Sequence, residues 1–391
     1  MLNINQLRAE TPAVKDLLHF NNAGASLMPQ PILEAMVTYL RYEAIIGGYE
    51  TARKYHDHLE RFYGAMAHLL NAQPEEIAFV ENATRAWDMV FYSLKFQQGD
   101  KIVTANAEYA SNYIALLQAQ KNFGVEIVVI PDDAHGQIDL AALESEINER
   151  VKLIAITHIP STGGLVNPVE EVGEIARKHN ILYLLDACQS VGQRVVDVQK
   201  IGCDFLSGTG RKFLRGARGT GFLYVKKERI SEIEPVLLDL HSAEWTSRST
   251  YTIRDDARRF ENWEQNYAGK LALGMAVDYA LEIGMEAIQE RVQHLALELR
   301  TALDQLAGVK VQDIGMEKSG IVTFAMDGAD HYAIRDRLAE RRINVSISPI
   351  EYSRLDFENR NLKTLIRASV HYYNTEHEVG RFVEAIQSLG D

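Results

Sequence analysis

Two residues near the middle of the chain have types that suit chemistry at an amine. Asp186 closes the apolar run ILYLLD, and Lys212 follows the next apolar run within the glycine-rich turn SGTGRKFLRGARGTG. An aspartate there is costly to bury as an ion without a partner, although capping a helix is its commoner role. A lysine confined beside Arg211, Arg215 and Arg218 would have a lowered pKa, which a Schiff-base lysine needs. A basic surface loop is the alternative for this segment.

Three further segments place reactive or recognition groups next to apolar runs. Ala83 and Thr84 follow IAFV at a predicted helix start, where N–H groups and a hydroxyl bind anions unless Thr84 only caps the helix. Tyr109, after the next run, would stack on a flat ring or pack in the core. Arg367 lies inside LIRASV and needs a substrate carboxylate or an internal acid as its partner. With the aspartate and the lysine, the set suits pyridoxal phosphate and an amino acid.

The elements that would position these residues alternate in type along the chain. Short apolar runs separated by amphipathic stretches predict an α/β fold, with a mostly parallel sheet flanked by helices. Ligands of such sheets lie at the carboxyl ends of the strands. The predicted strands are IAFV (77–80), KIVTA (101–105), VEIVVI (125–130), VKLIAIT (151–157), ILYLLD (181–186), DFLS (204–207) and GFLYV (221–225).

The pattern changes after about residue 255, where a smaller α+β domain is expected. Its predicted elements are a long helical stretch over 269–307, strands at 321–326, 343–348 and 365–370, and helices over 331–341 and 375–389. Before the sheet, PQPILEAMVTYLRYEAII and residues 50–70 predict two long helices. The expected division is an N-terminal segment (1–30) lining the active site, a large cofactor-binding domain (31–255) and a small C-terminal domain (256–391).

Composition excludes several classes of protein. The chain has 391 residues, 46% hydrophobic and 24% charged, which is typical of a globular protein and not of a disordered one. Its net charge of −13 disfavours nucleic acid as a partner. Two cysteines rule out a disulfide scaffold and supply no zinc motif. No apolar run is long enough to span a membrane and no signal peptide is recognised, so a cytoplasmic location is expected.

The chain resembles the class V aminotransferase family of fold-type I pyridoxal-phosphate enzymes. This family includes cysteine desulfurases, selenocysteine lyases, kynureninase and isopenicillin N epimerase. The resemblance runs from FNNAGASLMP to RASVHYYNT and is most specific in LLDACQS, SGTGRKFLRGARGTGFLYV and RASVHYYNT. The GRKFLRGARGTGFLYV segment is most similar to ergothioneine-pathway carbon–sulfur lyases and related members.

The resemblance implies a role for each matching position. Lys212 would bond to the cofactor aldehyde, Asp186 would pair with the ring nitrogen, and Arg367 would bind the substrate carboxylate. The other implied contacts are Tyr109 on the ring, Gln189 and Ser161 at the ring hydroxyl, Ala83, Thr84, Thr209 and Arg211 at the phosphate, and Asn22 and Ala23 beside the substrate. The family's RFENWE-like segment (259–264) reaches the phosphate across a dimer interface, which implies a homodimer.

One departure from the family bears on the reaction. Persulfide-forming desulfurases carry a cysteine in the loop before the carboxylate-binding arginine, and here INVSISPIEYSRL has none. By position, neither Cys188 nor Cys203 replaces it. The resemblance therefore favours a carbon–sulfur β-lyase acting on a cysteine conjugate or sulfoxide without an enzyme persulfide. An aminotransferase and an amino-acid epimerase follow as alternatives, and a non-catalytic binding or regulatory relative is the remote one.

Overall fold

A computed structural model describes residues 2–390 of the chain. The strands are β1 (Leu18–His19), β2 (Ile77–Val80), β3 (Lys101–Ala105), β4 (Glu126–Ile130), β5 (Val151–Thr157), β6 (Leu182–Asp186), β7 (Phe205–Thr209), β8 (Gly221–Val225), β9 (Ala243–Ser247), β10 (Thr250–Ile253), β11 (Val309–Val311), β12 (Ile321–Met326), β13 (Ile343–Asn344), β14 (Ser346–Pro349) and β15 (Thr364–Ser369). The α-helices are α1 (Ile4–Ala9), α2 (Gln30–Ile46), α3 (Gly48–Lys54), α4 (His56–Leu70), α5 (Ala83–Phe91), α6 (Ala110–Phe123), α7 (Leu140–Glu146), α8 (Val169–His179), α9 (Val198–Ile201), α10 (Lys227–Ile230), α11 (Tyr267–Ile283), α12 (Met285–Asp304), α13 (His331–Glu340), α14 (Arg354–Asn359) and α15 (Glu376–Gly390).

The large sheet has the order β2-β8-β7-β6-β5-β3-β4, and only β8 runs antiparallel to its neighbours. The predicted, mostly parallel α/β sheet is therefore confirmed. Buried strands such as β2 and β8 are continuous apolar runs because helices cover both faces of the sheet. The register pairs Thr157 with Asp186, and Asp186 with Ser207, so the carboxyl ends of three strands meet at one edge.

A second sheet, of order β11-β12-β15-β14, is antiparallel throughout. The N-terminal segment joins this part of the chain, because β1 pairs in parallel with β13 and Asn21 bridges to Ser369. Meanwhile α11 packs against α2 and α4 through a cluster formed by Tyr39, Leu59, Ala268 and Leu271. The division into domains at residues 30 and 255 stays a prediction.

One predicted long helix is wrong because it is broken in the structure, and one predicted helical stretch contains a break. The stretch over 50–70 is divided between α3 and α4 at Tyr55. The stretch over 269–307 is divided between α11 and α12 at Gly284, whose φ of 93° is outside the helical region and suits glycine. The expected strand over 343–348 is likewise divided into β13 and β14. Among the helices of residues 2–390, none has the length and apolar character needed to cross a membrane.

Candidate active site

A cavity of about 210 Å³ opens at the edge where β5, β6 and β7 end. Its wall contains every residue that the sequence predicts for cofactor binding, which are Ala83, Thr84, Tyr109, Ser161, Asp186, Gln189, Thr209, Arg211 and Lys212. Asn82, Thr157, Ile159 and Cys188 complete it. The predicted substrate residues Asn22, Ala23 and Arg367 are not among the residues that line this cavity.

Asp186 is held by contacts to both of its carboxylate oxygens. It is 5% exposed at the end of β6. Oδ1 accepts the backbone N–H of Cys188 at 2.9 Å, and Oδ2 accepts the Asn112 side-chain amide at 3.0 Å. A turn follows Asp186, and α9 begins only at Val198, so the alternative that Asp186 caps a helix is wrong. Neither contact is to a cation, which leaves a buried carboxylate at the cavity wall that suits a protonated ligand atom.

Lys212 is 8% exposed and lines the cavity, so the alternative of a basic surface loop is wrong. Burial is the main cause that lowers the pKa of its amine, and Arg211 and Arg367 lower it further. The expected contribution of Arg215 is wrong, because its guanidinium turns away to the carbonyl of Leu27. A lowered pKa makes the amine of Lys212 easier to deprotonate, which a nucleophile or a base requires.

The N-terminus of α5 forms one end of the cavity. Asn82 caps this helix, since its side chain accepts the N–H of Arg85 at 2.9 Å, so the alternative that Thr84 is the cap is wrong. The first N–H groups of a helix have no acceptor within it and attract anions. A Cβ atom at Gly221 of β8 would lie 2.7 Å from the carbonyl carbon of Asn82. The absence of a side chain at Gly221 therefore lets the helix start approach the sheet.

Arg367 is a buried cation on β15. Its terminal nitrogens donate to the carbonyl oxygen of Ser161 at 2.6 Å and to Oδ1 of Asn21 at 3.4 Å, while its Nε has no partner. Burial lowers the pKa of the guanidinium to about 10, and Arg211 adds to this effect. No carboxylate within residues 2–390 forms an ion pair with Arg367, so the alternative of an internal acid is wrong. Such a guanidinium suits an anionic ligand.

Asn22 and Ala23 join the N-terminal segment to the rest of the site. The Asn22 amide donates to the carbonyl of Ser369 at 2.7 Å and accepts the Tyr373 hydroxyl at 2.5 Å, so its side chain is used in holding the segment. The carbonyl of Ala23 accepts the Gln189 amide at 3.1 Å. The other amide atom of Gln189, Oε1, is buried without a partner at the cavity. The segment thus fixes one end of Gln189 and leaves the other free for a ligand.

Glu108, Asn112 and Thr157 were not predicted from the sequence. Thr157 lines the cavity, and Glu108 and Asn112 lie behind its wall. The Thr157 hydroxyl donates to Glu108 Oε1 at 2.5 Å, and the Asn112 amide joins Glu108 to Asp186. Burial raises the pKa of the Glu108 carboxyl to about 7. A signal was available, because NAEYASN follows the strand KIVTA and polar residues after such strands mark the ligand edge.

Known proteins match the chain over almost its whole length. The family model for class-V aminotransferases matches residues 18–382. A probable cysteine desulfurase of Methanothermobacter thermautotrophicus is 30% identical over 402 aligned positions, covering 100% of this chain and 99% of its own length. The probable cysteine desulfurase of Pyrococcus abyssi is also 30% identical, covering 98% and 96%. The apo structure of a cysteine desulfurase from Thermococcus onnurineus NA1 is 28% identical with a TM-score of 0.92, covering 100% and 98%. The chain therefore belongs to the class-V aminotransferase family, and it is a pyridoxal-phosphate-dependent enzyme.

Proposed function

We propose that pyridoxal phosphate binds in the cavity at the carboxyl edge of the sheet. The volume of about 210 Å³ supports this, because it is several times the ~30 Å³ that one water occupies. The start of α5, with Ala83 and Thr84, would hold the phosphate together with Thr209 and Arg211. Gln189 and Ser161 would hold the ring hydroxyl, and Tyr109 would cover the ring. The unpartnered Oε1 of Gln189 is the observation that best supports a ligand here.

The side chains around the cavity have complementary tasks in this proposal. Pyridoxal phosphate, when bound, supplies an aldehyde that bonds to amines and a ring that accepts the electron pair left at an amino acid's α-carbon. Asp186 would hold a proton on the ring nitrogen, which strengthens that acceptance. Lys212 would anchor the cofactor at rest and, once freed as an amine, take the α proton at its Nζ. Arg367 would bind the substrate carboxylate and orient the Cα–H bond toward Lys212.

We propose that the reaction is cleavage of the carbon–sulfur bond of cysteine or a cysteine derivative. The names of the two curated relatives support sulfur removal from cysteine more than from a larger conjugate. Addition of one water to the substrate would give pyruvate, ammonium and the released sulfur group, so that atoms balance. That group is sulfide from cysteine, a thiol from a thioether conjugate, a persulfide from cystine and a sulfenic acid from a sulfoxide. The observation that carries the amino-acid assignment is Arg367. This buried cation pairs with no carboxylate of residues 2–390, and it lowers the pKa of Lys212.

The chain's cysteines favour release of sulfur over its storage on the enzyme. Residues 343–355 contain no cysteine. This segment contains Tyr352 and Ser353 instead, and the Ser353 hydroxyl is buried without a hydrogen-bond partner among the described residues. Cys203 is buried away from the cavity. Cys188 lines the cavity, but burial and the neighbouring Asp186 raise the pKa of its thiol, which opposes the thiolate that a sulfur acceptor needs.

A cysteine desulfurase that yields alanine is the second candidate, because both curated relatives carry that name. One product assay separates the candidates. Enzyme loaded with cofactor is incubated with cysteine, cystine, cysteine conjugates and their sulfoxides, and pyruvate, ammonium, alanine and sulfur products are measured. Pyruvate and ammonium in equal amounts support the β-lyase, and alanine without ammonium supports the desulfurase. An oxo acid that forms only when an amino acceptor is added would indicate an aminotransferase. Formation of a D-amino acid would indicate an epimerase.

We also propose that the enzyme is a homodimer, as the family resemblance implies. Apolar side chains on and after α2 support this, because Ile45 is 77% exposed and Tyr49 70% exposed. Leu33, Leu40 and Trp263 are exposed apolar residues as well, and Trp263 belongs to the 259–264 segment that the family uses across its dimer interface. Large apolar groups in water are a common sign of an interface.

A further inference from the structure

Glu108 is a second buried carboxyl beside the cofactor cavity. It is 4% exposed and follows β3, one residue before the cavity-lining Tyr109. Its oxygens accept the Thr157 hydroxyl at 2.5 Å, the Thr104 hydroxyl at 3.2 Å and the backbone N–H of Tyr109 at 2.8 Å. Within residues 2–390 it forms no ion pair, so neutral donors alone offset the cost of its burial. Burying a carboxyl group without an ion pair costs free energy, so packing alone does not explain why Glu108 lies here.

Asn112 connects this carboxyl to the cavity. Its side-chain nitrogen has two hydrogens, and the nitrogen lies 2.9 Å from Glu108 Oε1 and 3.0 Å from Asp186 Oδ2. One amide thus donates to two buried carboxyl groups, and both must accept for it to be satisfied. Asn112 is itself buried in the first turn of α6, so the amide has little freedom to turn elsewhere.

We propose that Glu108 is a positioning residue for Asp186, which it fixes through Asn112 and reinforces with its own negative charge. The inference rests on the cofactor site proposed above and not on which bond the enzyme breaks. Glu108 also holds the backbone of Tyr109 and the hydroxyl of Thr157. Three parts of the cavity wall, from β5, β6 and the start of α6, are therefore attached to one carboxyl.

The charge on Glu108 changes within the physiological range. Burial is the first cause that raises its pKa to about 7, and the charge of Asp186 contributes in the same direction. Asp186 is the acidic group that acts on Glu108, and Lys212 and Cys188 are the titratable groups that in turn interact with Asp186. Above this pH Glu108 is ionised and would stabilise a proton on the cofactor. Below it, the neutral carboxyl resembles the amide of glutamine in shape.

The test uses the cofactor-loaded enzyme without substrate. The variants are Glu108→Gln, Asn112→Ala and the two combined, with Glu76→Gln as the matched control. Glu76 is a buried glutamate with backbone N–H partners outside the cavity. Two quantities are measured, the dissociation constant of pyridoxal phosphate and the pH midpoint at which the absorbance of the lysine-bound cofactor changes.

We expect Glu108→Gln to move the pH midpoint down by roughly half a unit, because a negative charge near the protonated cofactor is lost. Asn112→Ala should raise the cofactor dissociation constant about tenfold. In the double variant this constant should be little higher than in Asn112→Ala, because without Asn112 the side chain at position 108 no longer fixes Asp186. The control should leave both quantities unchanged.

Unchanged midpoint and affinity in both single variants, even with a lowered melting temperature, would overturn the positioning role and leave the cofactor site standing. Additive effects in the double variant would overturn the link through Asn112. A wild-type enzyme that binds no pyridoxal phosphate at Lys212 would refute the proposed site and this inference together. If Glu108→Gln does not fold, Asn112→Ala alone decides, because it removes the bridge and keeps both carboxyl groups.

Discussion

Among single residues, the cavity and its surroundings hold charged groups that would repel one another or lack a compensating partner if no ligand were bound. Arg211 and Arg367 lie close enough to Lys212 to lower the pKa of its amine, and Asp186 and Glu108 are buried acids of the same region. Buried charges persist in proteins when a bound partner completes them. Each of these charges should therefore affect a bound cofactor or substrate.

Lys212→Ala should remove the absorbance of the lysine-bound cofactor and abolish turnover, while the fold remains, because alanine cannot bond to an aldehyde. Lys270→Ala is the control, since Lys270 is another buried lysine whose Nζ contacts the Tyr63 hydroxyl outside the cavity. Borohydride reduction of the wild type, followed by peptide mass analysis, should label Lys212. A label on another lysine would refute the assignment.

Asp186→Asn should lower the turnover rate by about a hundredfold or more, since one key electrostatic group at a reacting centre is worth that much. Asp204→Asn is a matched control, because Asp204 is buried but pairs with Arg229 away from the cavity. Steady-state rates on the substrate identified by the product assay measure the effect. Turnover near the wild-type rate would contradict the role at the ring nitrogen.

Arg367→Lys should reduce kcat/KM by roughly tenfold or more, because lysine offers a charge but not the planar pair of donors that a carboxylate accepts. Both KM and kcat should change, since the same contact orients the α proton toward Lys212. Arg300→Lys serves as the control, because Arg300 is a buried arginine already paired with Asp313. If the variant bound an amino acid and its amide analogue with the wild-type preference, the carboxylate contact would be disproved.

At the scale of elements, the site depends on how closely α5 approaches β8. A Cβ atom at Gly221 would meet the backbone of Asn82 at 2.7 Å and 2.8 Å, and the carbonyl oxygen of Gly208 at 2.9 Å. Backbone atoms cannot move aside as a flexible side chain would. A methyl group there would displace the helix start that carries Ala83 and Thr84.

Gly221→Ala should therefore raise the dissociation constant of pyridoxal phosphate by about tenfold or more, a cost of the size that overpacking usually brings. Gly380→Ala is the control, because a Cβ atom at this helical glycine would meet nothing within 4 Å. Equilibrium dialysis with the cofactor measures the effect. Equal affinities in Gly221→Ala and the wild type would show that the helix start does not hold the phosphate.

The strands and the cavity wall could be predicted from the sequence because local patterns determine both. Buried parallel strands are continuous apolar runs, and the residues after them meet at one edge whatever the details of packing. The breaks at Tyr55 and Gly284 were harder to predict. Tyr55 is not a helix-breaking residue type, and a single glycine is tolerated within many helices, so Gly284 alone did not decide where the helix ends. Contacts such as Asn112 with Asp186 depend on tertiary packing between α6 and β6, which the order of residues does not reveal.

At the scale of the whole molecule, the exposed apolar residues of α2 and α3 predict a dimer. The mass in solution should be about 88 kDa, twice the 44.0 kDa of one chain. Ile45→Asp combined with Tyr49→Asp should shift the enzyme toward the monomer, because burying a carboxylate in an apolar interface is costly. Leu297→Asp on α12 is the control, since Leu297 is an exposed leucine on another helix. Analytical ultracentrifugation gives the masses, and a monomeric wild type would contradict the prediction.

The pairing of β1 with β13 has a consequence for how the enzyme is made. Leu18 pairs with Ile343, and Asn21 with Ser369, so the beginning of the chain can reach its place only after nearly all of it has left the ribosome. Closing such a large loop carries a high entropic cost and slows the last stage of folding. The central sheet can form earlier from contacts nearer in sequence. The edge of the sheet that forms the cavity would thus be assembled in the growing chain before Arg367, the proposed substrate-binding residue of β15, is in place.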